Sequence, residues 1–234
     1  MFDTGVMALP LRSQPPVPPR APDGEVSDRR AVARALAERI RPLVPAGDRR
    51  LEVDGPLAPL VDGGVGRGST VTIEGIGATS LALALAAALS PGRWCVVVGL
   101  DELAPIGALE AGIDPARCAF VGVDDGDRVA EVLAALVVAI DVVVVDARLS
   151  VRPAAVRRLG ARVRERGGVV VVVHPDGGSI GASWSGDVVM AVRAGTWDGP
   201  GRGDGHLQSR SVVVDVTGRG RAARPRRHEL SLPG

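Results

Sequence analysis

The chain has 234 residues, 46% apolar and 24% charged, enough to bury a core as one domain with tails or as two small domains. Its 28 basic residues stand against 27 acidic ones, so a net charge of +1 selects neither nucleic acid nor an anionic membrane as partner. All 28 are arginine, and a chain without lysine excludes any mechanism that needs a lysine amine. Aromatics are 2% with no tyrosine, which leaves little for base stacking. Cys95 and Cys118 lie in apolar runs and do not form a disulfide framework or a zinc site. No apolar stretch reaches the ~18–20 residues of a membrane span, and Met1–Pro10 lacks the basic start and apolar centre of a secretory signal. A cytoplasmic location is expected.

Residues 1–26 carry six prolines and few large apolar side chains, so they read as a disordered arm. Ser27 is placed to cap a helix reaching about Leu43, within a 27–45 segment ended by Pro42 and Pro45. Val32, Leu36, Ile40 and Leu43 form its apolar stripe, which either packs back on the domain or serves a partner.

From Ser69 the pattern alternates strand and helix. Strands are expected at Ser69–Glu74, Trp94–Gly99, Ala119–Val123, Asp141–Asp146 and Gly168–His174. Helices are expected at Ser80–Ser90, Leu103–Ala111, Arg128–Val138 and Ala154–Arg166. Runs that are apolar at every position indicate strands covered on both faces, hence a parallel sheet with crossover helices. Asp187–Arg193, Ser211–Thr217 and Arg227–Leu232 follow without helices between them, as antiparallel strands added to one edge. Gly63–Gly68 is glycine-rich like a phosphate loop, but it precedes a strand and reads as a turn.

The turn with chemical interest is Glu74-Gly75-Ile76-Gly77-Ala78-Thr79-Ser80, which leads from the first strand into a helix. Such a turn aims backbone N–H groups and a positive helix end at one point, as phosphate sites do. Against the P-loop pattern it is about two residues short, and Ala78 stands where the lysine belongs. Thr79 keeps the hydroxyl that would hold magnesium. Against the dinucleotide pattern, Gly75 and Gly77 fit, Ser80 replaces the third glycine, and Asp101 lies 21 residues beyond it. A tight turn with no ligand remains a third reading. Asp146 closes a valine strand in the manner of a Walker B aspartate, and Asp101 and Glu102 end another strand. The histidines do not cluster as a metal site, and no serine lies in a G-x-S-x-G elbow. Arg219, Arg221, Arg224, Arg226 and Arg227 crowd one turn near the end of the chain, as a partner surface or a solvated hairpin tip.

Taken in order, these segments resemble the RecA-like core, and more closely the ImuA-type mutagenesis accessory proteins of actinobacteria. The resemblance spans residues 57–233. It rests on Gly66-Arg67-Gly68-Ser69 before the first strand, Trp94–Glu102 followed by Ala111-Gly112-Ile113-Asp114-Pro115-Ala116-Arg117, the strand at Asp146, and the closing Ser211–Val216 and Glu229–Leu232 strands. It implies a mostly parallel α/β sheet flanked by helices, with a C-terminal antiparallel β-hairpin extension. It also implies an adaptor without ATPase activity or cofactor, whose nucleotide-site positions (Gly75, Gly77, Ala78, Thr79, Ser80, Asp101, Glu102, Asp146) are degenerate. The partners it implies are an inactive Y-family polymerase homologue and, indirectly, an error-prone C-family polymerase, with weak DNA contact and nucleoid association after damage. Val32, Leu36 and Ile40 and the five clustered arginines are the candidate partner surfaces. A nucleotide- or dinucleotide-binding protein and a SulA-like division inhibitor are the alternatives.

Overall fold

The computed structural model describes residues 50–101, 103, 105–123, 128–174, 184–199 and 209–233. The proline-rich arm, the 27–45 segment with Val32, Leu36 and Ile40, and Glu102 lie outside them. Arg50–Glu52 (β1) and Gly64–Gly66 (β2) form a small antiparallel ribbon around a 3-10 segment, Gly55–Val61. Part of the glycine run read as a turn is therefore a strand. Gly64 permits it, since a Cβ there would stand 2.6 Å from the Leu51 carbonyl oxygen across the ribbon.

The main sheet has eight strands. Thr70–Gly75 (β3) leads to helix Ala78–Leu89 (α1), and Cys95–Val98 (β4) to helix Pro105–Glu110 (α2). Cys118–Val121 (β5) precedes helix Val129–Ala139 (α3), Val142–Asp146 (β6) precedes helix Pro153–Arg166 (α4), and Val169–His174 (β7) completes the alternation. Val188–Asp198 (β8), Ser209–Gly218 (β9) and Arg226–Pro233 (β10) follow. The spatial order is β10-β9-β8-β3-β7-β6-β4-β5. From β8 to β5 every neighbouring pair is parallel, while β8–β9 and β9–β10 are antiparallel.

The expected α/β sheet with a C-terminal antiparallel extension is present, with one refinement. β8 does not start a separate edge: it lies parallel to β3 from Val71↔Val188 to Gly75↔Val192, continuous with the parallel sheet. Valine runs are buried at every position because helices cover both faces. Val71, Ile73, Val144 and Val171 share a core with Leu81, Leu85 and Leu89 of α1. Val129, Leu133, Leu159 and Val163 of α3 and α4 are buried outside that cluster. α4 keeps its arginines exposed and buries only Leu159 and Val163, the amphipathic pattern of a covering helix. No helix among the described residues is long and apolar enough to cross a membrane.

Leu85 is fully buried at the centre of α1. Leu85→Ala should cost about 2–5 kcal/mol of stability, measured by chemical denaturation.

Candidate functional site

In parallel sheets the carboxyl ends of the strands are where ligands bind, and there the sequence places Glu74, Gly75, Asp146 and His174. β3 ends at Gly75, Gly77 is the N-cap of α1, and only Ile76, 77% exposed, lies between them. Gly75 and Gly77 both have positive φ, at 102° and 91°.

The two glycines are occupied by the protein itself. A Cβ on Gly75 would collide with the Val192 carbonyl of β8. A Cβ on Gly77 would run into the guanidinium of Arg210, 2.6 Å from Cζ. Arg210 stands on β9 in phase with the buried Val212, Val214 and Val216, so it enters the same core face and is itself 6% exposed. Its Nη2 donates to the Ile76 carbonyl at 2.8 Å, and its Cζ lies 5.2 Å from the centroid of the Trp197 ring. Its Nε has no acceptor, and no carboxylate pairs with it among the described residues. α1 has neither a side-chain cap nor an acid in its first turn. Guanidinium and helix end therefore carry the same sign, and the arginine is held by a carbonyl, an aromatic face and tight packing instead of a counter-ion. It packs directly against Gly77, in the space a Cβ there would take.

Ala78, at the position of a P-loop lysine, is fully buried in the core, where a long cation has no room. Thr79 and Ser80 are half-buried beside it. Asp146, 1% exposed, is wholly engaged two residues along the chain. Arg148 N donates to Oδ1 at 2.7 Å, and its Nε and Nη2 donate to Oδ2 at 2.9 and 2.8 Å. Asp101 is exposed at the end of β4, which β7 and β6 separate from β3, about 14 Å across the sheet at ~4.8 Å per strand. The dinucleotide pattern needs that acid beside the glycine turn, and the topology does not bring it there.

Three features of this region escaped the sequence reading: Arg210, Trp197 and the Glu74–His174 pair, which lie opposite each other in β3 and β7. The signal for Arg210 was an arginine in phase with alternate buried valines. Burial holds the His174 imidazole below its ordinary value of 6.5, against the pull of the Glu74 and Asp146 carboxylates, and its buried Nε2 has no partner among the described residues. Cys95 and Cys118, free thiols, are also direct partners across β4 and β5. Hydrogen bonding to Cys118 and burial push the Cys95 thiol well above its usual range.

The arginine-rich turn is divided. Arg226 pairs with Asp62, and Arg227 and Arg193 both pair with Asp215, whose carboxyl is lowered first by the hydrogen bond from Arg227. Arg219, Arg221 and Arg224 are exposed. No group of acids, histidines or cysteines able to hold a metal occurs among the described residues.

A family model described as the MT3502 N-terminal domain matches residues 58–178, just over half of the chain. The chain belongs to the MT3502 N-terminal domain family. Its fold is similar to the crystal structure of the RadB recombinase, with a TM-score of 0.54 and 15% identity over 74% of this chain and 91% of that one. At that identity the likeness shows a shared RecA-like fold. No curated protein matches the chain. The span matched by the MT3502 family model includes the turn, Asp146 and His174 but ends before β8. Val192 and Arg210, which pack against the two glycines, and Trp197, which packs on Arg210, lie beyond it.

Gly77→Ala should destabilise the wild-type chain more than it destabilises Arg210→Ala. A denaturation double-mutant cycle should give a coupling of roughly 1 kcal/mol or more, whereas additivity would mean that the guanidinium does not press on Gly77. His174 has a folded-state value below its unfolded one, so the unfolded chain takes up more protons as pH falls. Stability should therefore decline as pH drops from about 7 toward 5, with a shallower decline in His174→Gln, read from melting temperatures across that range.

Proposed function

We propose that this protein is a non-catalytic RecA-like adaptor in damage-induced mutagenic translesion DNA synthesis. It binds an inactive Y-family polymerase homologue and helps recruit an error-prone C-family polymerase. The single observation that carries the reading is Arg210 packed on Gly77 and bonded to the Ile76 carbonyl, which commits the glycine turn to the chain's own packing and sets a second positive charge beside the helix end, a poor arrangement for ATP hydrolysis. The reading is also supported by a lysine-free sequence, by Ala78 buried in the core and by Asp146 committed to Arg148. The polymerase partners come from the resemblance to ImuA-type proteins, to which the RecA-like fold lends coarser support.

An adaptor contributes surface in place of turnover. With Arg226 and Arg227 held in intramolecular ion pairs, Arg219, Arg221 and Arg224 are the members of the cluster left for a partner; the other candidate surface, the apolar stripe of the 27–45 segment, lies outside the described residues. A tagged pull-down from cells of the source organism after DNA damage, with mass spectrometry of the co-purifying proteins, tests this. Recovery of an inactive Y-family polymerase homologue is expected. Recovery of the division tubulin in its place would replace the adaptor with a SulA-like inhibitor.

A further inference from the structure

At the end of the sheet opposite the Gly75–Gly77 turn, where β3 and β8 begin, lies a cleft of about 240 Å³. Its rim carries four arginines, Arg50, Arg219, Arg221 and Arg226, against two carboxylates, Asp62 and Asp187. Both acids are already engaged. Asp62 pairs with Arg226, and Asp187 Oδ2 accepts from the Thr70 backbone N–H at 2.9 Å. The cleft thus holds a surplus of two positive charges.

The walls are fixed. Arg50 donates to the carbonyls of Val61, at 2.7 Å, and Gly64, tying β1 across the loop, and Arg219 N donates to the Asp187 carbonyl at 2.8 Å. Arg219 and Arg221 reach solvent, and Arg226 is held against Asp62. The floor is apolar, formed by Leu60, Val61, Val65 and Ala222.

We infer that this cleft binds an acidic peptide segment of a partner protein, seating one apolar side chain on the floor while flanking carboxylates meet Arg219 and Arg221. The inference deepens the adaptor reading and rests on it for the partner's role. Charge complementarity selects an anionic occupant. The apolar floor then selects peptide over nucleic acid, because a phosphodiester has no group to place there and, among the described residues, no aromatic side chain lines the cleft to stack a base.

The test uses the full chain and a displayed library of short random peptides, followed by fluorescence anisotropy with the enriched peptides and with a labelled single-stranded oligonucleotide. Enrichment of peptides that combine an apolar residue with two or more acids is expected. Their affinity should fall roughly tenfold or more in Arg219→Glu/Arg221→Glu, and in the same direction but less in Arg219→Gln/Arg221→Gln. Arg157→Glu/Arg162→Glu, an equal charge change on exposed α4, should leave it unchanged. Enrichment without acids, equal loss in the α4 variant, or oligonucleotide binding that alone depends on Arg219 and Arg221 would each overturn the inference. In the damage-induced pull-down, a polymerase homologue still retained by Arg219→Glu/Arg221→Glu would remove the cleft while leaving the adaptor. Loss of the partner from the wild-type chain would remove the adaptor reading itself.

Discussion

The packing of β8 and β9 against the Gly75–Gly77 turn is the contact on which the carboxyl end of the sheet depends. β8 runs in register with β3 up to Gly75↔Val192, and only a residue without a Cβ lets the Val192 carbonyl approach there. One step on, the same property of Gly77 admits the guanidinium of Arg210, which caps the core of Val212, Val214 and Val216 and ties β9 to Ile76. The glycine turn thereby docks the β8–β9 hairpin against the end of β3 and the start of α1.

Much of the architecture was legible because valine runs such as Val142–Val145 and Val169–Val173 admit few alternatives to doubly covered parallel strands. The glycine turn was legible as a place of close approach. What approaches was not, because Arg210 lies on a strand more than a hundred residues later and its partners are a carbonyl, a glycine Cα and Trp197, none of which leaves a motif. Strand order was equally hidden. Asp101 matches a dinucleotide acid by spacing, yet the chain inserts β6 and β7 between β4 and β3. The arginine cluster looked uniform, and only the fold separates Arg226 and Arg227, paired with Asp62 and Asp215, from Arg219, Arg221 and Arg224, which have no carboxylate partner among the described residues.

A chain that uses arginine for all its basic positions gains planar forks suited to bidentate and carbonyl contacts. Arg148 grips Asp146 through two nitrogens, Arg227 does the same to Asp215, and Arg50 bridges two carbonyls. At the surface pair of Arg227 and Asp215 the gain is small because water competes. At Asp146, buried and satisfied from three donors, the arginine removes the need for a metal or a water to neutralise the carboxylate. Both Gly77 and Asp146 are thus contacted by arginines of the chain's own.

The most direct test of that account is a calorimetric titration of magnesium–ATP into the full-length protein, with Arg210→Ala titrated in parallel. The account predicts no saturable binding to the wild-type chain. Saturable one-to-one binding to the wild-type chain that is lost in Arg210→Ala would contradict it, because the arginine would then be holding the nucleotide instead of excluding it.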